Sequence, residues 1–137
     1  MSLFGALSIV GSGVDAMQTW IDTAGGNIAN ANDVTSTNQP AYAAQTPVLA
    51  ADPVPMGSSG VGQGVTVTGI ALGSTAGLLQ HDPGSPLANV QGNVRVPAIS
   101  MADQLVSLIE AQDGYQTDTN AMQRAVTAYQ AGLTIGS

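Results

Sequence analysis

The chain has 137 residues, enough for one compact domain or one elongated subunit. Its hydrophobic share of 44 % is ordinary, but aromatics make up only 4 %, so any core must be shallow or built from Ala, Val, Leu and Ile. Nine acids face two bases, Arg95 and Arg124, with no Lys and no Cys; this excludes the cationic footprint of a nucleic-acid binder, electrostatic docking to an anionic lipid surface, disulfides and thiolate chemistry.

The first predicted element is a helix over residues 3–32. Leu7, Val10, Val14, Met17, Ile21, Ala24, Ile28 and Ala31 follow an unbroken 3-4 spacing, the stripe of a helix that packs lengthwise against another. Gly11, Gly13, Gly25 and Gly26 lie inside it, each costing about 1 kcal/mol relative to Ala, so the helix is weak alone and either needs a partner or breaks in two. The apolar start, Met1 to Val14, has no basic flank, and no cleaved signal peptide is expected.

Residues 33–97 carry the prolines and are expected to be non-helical. Tyr42–Leu49 and Val65–Leu72 read as short strands, the second through its alternating β-branched residues. With Pro53–Gly64 as the turn, they form a β-hairpin. Gly73–Gly92 reads as loop with a turn at Asp82-Pro83-Gly84, and Asn93–Val96 as one more extended piece.

The last element is a helix from Ser100 to about Thr134. Ser100 is placed to cap it, and Asp103 sits near the positive end of its dipole. Its stripe is Leu105, Leu108, Gln112, Tyr115, Thr119, Met122, Val126, Tyr129 and Leu133, with Gln112 and Thr119 as polar interruptions. The expected fold is mainly α with a small β part: long N- and C-terminal helices paired in the manner of a coiled coil, with a β-hairpin and extended loops between. Residues 1–32 and 98–137 would form the helical core and 33–97 the middle region. The large apolar residues of the two stripes, leaving out Ala24, Ala31, Gln112 and Thr119, make the expected assembly seam.

Candidate chemistry is thin. Gly11-Ser12-Gly13-Val14-Asp15-Ala16 matches a dinucleotide-binding fingerprint, but that motif needs a strand before it, and Leu7–Val10 fit the helical stripe instead. His81, the only His, stands beside Asp82; it lacks the further ligands of a metal site and reads as a loop residue. Gly60–Gly64 reads as a flexible hairpin tip rather than a phosphate cradle, since no Lys follows. No catalytic, cofactor-binding or metal-binding residue is assigned and no cofactor is expected. Asn27, Asn30 and Asn32 cluster where the first helix ends, where capping and turning are the ordinary roles of Asn.

That cluster also carries a resemblance. Ser12-Gly13-Val14-Asp15-Ala16 followed by Ala24-Gly25-Gly26-Asn27-Ile28-Ala29-Asn30-Ala31-Asn32 resembles the N-terminal signature of bacterial flagellar axial proteins. Met101–Tyr129, with the pair Tyr115-Gln116, is similar to that family's C-terminal helix. The segments His81–Asn89 and Gly92–Ile99, with Pro83, Pro86, Gly92 and Pro97, are similar to the middle of its basal-body rod members. The sequence departs from the family pattern at Gly25 and Gly26 and at Asp113 and Gly114.

The resemblance implies a structural subunit of the proximal rod, part of the hollow drive shaft that transmits torque for motility. Its implied partners are copies of itself, other rod subunits and the flagellar type III export apparatus, with no nucleic acid and no direct lipid contact. It implies export without a cleaved signal and a place in the rod within the periplasm. Two other readings fit the residues: a small secreted helical-hairpin protein, and a different rod or hook-base subunit of the same family.

Overall fold

The computed structural model describes residues 3–53 and 62–135. Helix α1 spans Leu3–Asn30 and helix α2 spans Met101–Ile135. Between them lie four strands, β1 (Gln45–Ala51), β2 (Val65–Leu72), β3 (Leu78–His81) and β4 (Asn93–Val96). β1 pairs with β2 and β3 with β4, giving two two-stranded sheets. The fold is mainly helical with a small antiparallel β part. The turn expected over residues 53–64 falls largely outside the described residues, as does part of the Gly60–Gly64 run.

α1 is a single α-helix despite its internal glycines. α2 begins as its sequence dictates: the Ser100 hydroxyl accepts a hydrogen bond from the backbone N–H of Asp103 at 3.3 Å, and the Ser100 carbonyl accepts from the N–H of Gln104. β2 and β4 occupy the residues expected of them, and β1 lies slightly later than its predicted span.

β3 corrects the sequence reading, which left Gly73–Gly92 as loop. Leu-Leu-Gln-His has neither β-branched residues nor alternation, so nothing local marks it as a strand. Pairing makes it one: Leu78, Leu79, Gln80 and His81 lie opposite Val96, Arg95, Val94 and Asn93. His81 is accordingly a strand terminus, its Nδ1 lying 3.1 Å from Asn93 Oδ1. The turn at Asp82 is present, closed by the Ser85 N–H donating to the Asp82 carbonyl.

The chain divides into two compact units. The first comprises Met1–Ile21, Pro47–Gly69 and Ile109–Ser137. Its buried side chains are small, Ala16 of α1 and Ala111 of α2. In it the Ser12 hydroxyl donates to the Ile9 carbonyl at 2.7 Å and accepts from the Val65 N–H at 3.0 Å, fixing the start of β2 to α1.

The second unit comprises Asp22–Thr46 and Ile70–Leu108. Its buried residues include Ala24, Ala31, Ala41, Val94 and Asn27. Arg95 organises it. The Arg95 guanidinium donates to the carbonyls of Ala76 and, at 2.7 Å, Thr37, while its backbone bridges that of Thr35 in both directions. Gly77, at φ +58°, is required by the same packing, because a Cβ there would collide with the Val96 carbonyl and lie 2.7 Å from the Ala41 Cβ.

Candidate assembly surfaces

In the first unit the two helices meet through small residues. A Cβ added to Gly13 would lie 2.5 Å from Asp118 Oδ2, so the glycine is what admits the α2 carboxylate against the α1 backbone. Met17 reciprocates by lying over Gly114, and Met122 reaches Gly11. Absent side chains on one helix receive long flexible ones from the other.

The stripe expected on α2 only partly coincides with the side that is covered. Gln104, Ala111, Asp118 and Ala125 are buried or half-buried at a seven-residue spacing, whereas one position later Leu105, Gln112 and Val126 are exposed and Thr119 is half-buried. The physical cause is size: Ala111 and Gly114 permit close approach where Leu or Ile would hold the backbones apart. Leu108, Tyr115 and Met122 remain half-buried. Leu105, Val126, Tyr129 and Leu133 stand out to solvent. On α1, Leu7, Val10, Val14, Met17, Ile21 and Ile28 are all half-buried, while the most buried positions are Ala16, Thr23, Ala24 and Asn27.

Large apolar side chains are therefore left outside a core made mostly of alanines. In the first unit this holds for Phe4, Ile109, Val126, Tyr129 and Leu133. The Phe4 and Tyr129 rings make an edge-to-face contact with centroids 5.9 Å apart.

In the second unit the Asn27 side chain is 1 % exposed and fully engaged. Its Nδ2 donates to the Gln45 carbonyl and to Gln104 Oε1, both at 2.8 Å; its Oδ1 accepts from the Gln45 N–H at 2.8 Å and from the Tyr42 hydroxyl at 3.3 Å. The role expected for Asn27, capping the end of a helix, is thus replaced by a tertiary one, because the residue lies a turn before that end and points into the unit. Asn30 behaves locally, donating to the Gly26 carbonyl at 2.8 Å. Ala29 and Asn32 are exposed.

The other motif residues scatter. Pro83 and Pro86 are exposed in the loop after β3, Gly92 closes that loop by donating to the Asn89 carbonyl, and Pro97 is buried. Tyr115 is half-buried and Gln116 exposed. Gly11–Ala16, the dinucleotide-like run, lies in the middle of α1 without the strand-to-helix turn that phosphate binding needs. Among the described residues no group of three or more His, Cys, Asp or Glu is placed to hold a metal ion, and no helix is long and apolar enough to cross a membrane.

No family model matches the chain. It is similar from end to end to curated proteins called flagellar basal-body rod protein FlgC. The Salmonella typhimurium protein is 28 % identical over 136 residues, covering 99 % of each chain. The Yersinia enterocolitica protein is 29 % identical over 136 residues, again covering 99 % of each. The Borreliella burgdorferi protein is 24 % identical over 149 residues and 98 % of each.

Proposed function

We infer that this chain, as a member of the flagellar rod-protein family to which these relatives belong, is a structural subunit of the flagellar basal-body rod. The observation that carries this is the end-to-end likeness to rod proteins, joined to a fold of two long terminal helices with a small β part. The same likeness favours a rod subunit over a secreted helical-hairpin protein.

The finer features of the reading follow from that role. Self-assembly and contact with other rod subunits use the helical stripes as the seam, with residues 1–32 and 98–137 as helical core and 33–97 as middle region. The exposed Leu105, Val126, Tyr129 and Leu133 support this, since apolar side chains left out of the chain's own core are available to neighbours. The chain works mechanically, not as an enzyme. It lies in the rod within the periplasm and reaches it through the flagellar type III export apparatus without a cleaved signal. It contacts neither nucleic acid nor lipid directly, in keeping with its two basic residues.

Purified basal bodies test the reading. Mass spectrometry should find this chain in the rod fraction with its N-terminus uncleaved; its absence from that fraction would overturn the assignment.

A further inference from the structure

We propose that Arg124, on the outward face of α2, pairs with Asp15 on the outward face of α1 of the adjacent copy, and that this contact joins one subunit to the next. The inference rests on the rod reading and adds to it a named charge contact.

The argument begins with scarcity. The chain carries a formal charge of −7 and two cationic side chains. Arg95 is committed to the carbonyls of Ala76 and Thr37. Arg124 is exposed, so it is the permanently cationic side chain through which the described surface can recognise a carboxylate. Two copies at this net charge repel each other at low ionic strength, and a contact that brings that guanidinium to an acid offsets part of the repulsion.

The surroundings of Arg124 suit a helix as occupant. A shallow depression follows the outward side of α2, lined by Asn120, Gln123, Arg124, Thr127, Ala128 and Ala131. These side chains are short or hydrogen-bonding, so a second helix can come close enough for its carboxylate to reach Arg124. The side of α2 that meets α1, through Gly114, Asp118 and Met122, is a different one.

Asp15 supplies the matching charge. It is the sole charged side chain in the first 21 residues. It is exposed, on the side of α1 that also carries the exposed Ser8 and Gln18. A contact between an α2 face and an α1 face joins unlike surfaces, and unlike surfaces propagate into an open polymer. The other exposed acids of the first unit, Glu110 and Asp113, lie on the outward side of α2 itself. Pairing with those would join like surfaces and close the assembly at a dimer.

A charge swap tests this in cells producing the full chain as the sole copy, with incorporation into basal bodies expressed per exported chain. Arg124→Asp and Asp15→Arg should each lower incorporation by about tenfold, since attraction becomes repulsion. The double variant Asp15→Arg/Arg124→Asp should restore it. Both positions are exposed, so helix content by circular dichroism should match the unsubstituted chain. Normal incorporation of the single variants, or no recovery in the double variant, overturns the proposal. Recovery of Arg124→Asp by Glu110→Arg instead overturns it in favour of the closed pair. Absence of the unsubstituted chain from basal bodies marks failure of the rod reading itself, and the contact falls with it.

Discussion

Asn27 holds Gln45 by both of its backbone groups, donating to the carbonyl and accepting from the N–H at 2.8 Å each. One side-chain amide thereby does for the first residue of β1 what a neighbouring strand would do. The same amide reaches Gln104 of α2 and receives the Tyr42 hydroxyl. A buried side chain with every hydrogen-bonding site engaged is costly to remove, because its partners are left unsatisfied.

Asn27→Ala should therefore destabilise the chain by about 3 kcal/mol, and Asn27→Asp by a similar amount because it removes both donors. Asn30→Ala removes one local bond to the Gly26 carbonyl and should cost under about 1 kcal/mol. Urea unfolding followed by circular dichroism measures all three. Equal costs for Asn27→Ala and Asn30→Ala would show that the amide cluster is not what holds β1.

Arg95 is expected to be the second sensitive position. Arg95→Ala strips a charged donor from the carbonyls of Ala76 and Thr37 and should cost about 2–4 kcal/mol. Arg95→Lys should recover less than half of that, because an ammonium group cannot reproduce the forked guanidinium geometry. Thermal melts of the two variants give the comparison, and full recovery by Lys would mean that charge alone matters there.

Two glycines should respond in opposite directions to the same methyl group. Gly25 lies inside α1, and among the described residues nothing comes within 4 Å of the place a Cβ would take, so Gly25→Ala should stabilise by about 1 kcal/mol. Gly77→Ala places a Cβ against the Val96 carbonyl at a positive φ and should destabilise by about 2 kcal/mol or more. Differential scanning calorimetry separates the two signs.

The seam has its own signature. Val126 and Leu133 are 40 % and 56 % exposed, so Val126→Asp and Leu133→Asp should change the stability of the isolated chain by no more than about 0.5 kcal/mol. Ala111 is 0 % exposed, and Ala111→Asp should unfold the first unit by burying an unpaired carboxylate. If the outward stripe is an assembly surface, Val126→Asp and Leu133→Asp should nonetheless be exported and excluded from the rod. Stable, exported variants that enter the rod normally would show that assembly uses another face.

The sequence foretold the helices, the Ser100 cap, β2 and β4 because each rests on a local rule: periodicity, a capping hydroxyl, or β-branched alternation. β3 was invisible because its strand character comes from Val94 and Arg95 across the ladder rather than from Leu78–His81. On α2 the conspicuous stripe is only partly what the chain's own helix contact covers. Hydropathy draws attention to Leu105 and Val126, while the helix contact is made where Ala111 and Gly114 leave room. Asn27 was singled out by its motif, but its bonds to Gln45, Tyr42 and Gln104 depend on chain folding that no local pattern encodes.

The most direct test of the central claim is electron microscopy of basal bodies from cells that lack this chain. The account predicts cells without completed rods and without motility, both restored when the full chain is supplied in trans. Intact rods and normal swimming in its absence would contradict a structural role in the rod.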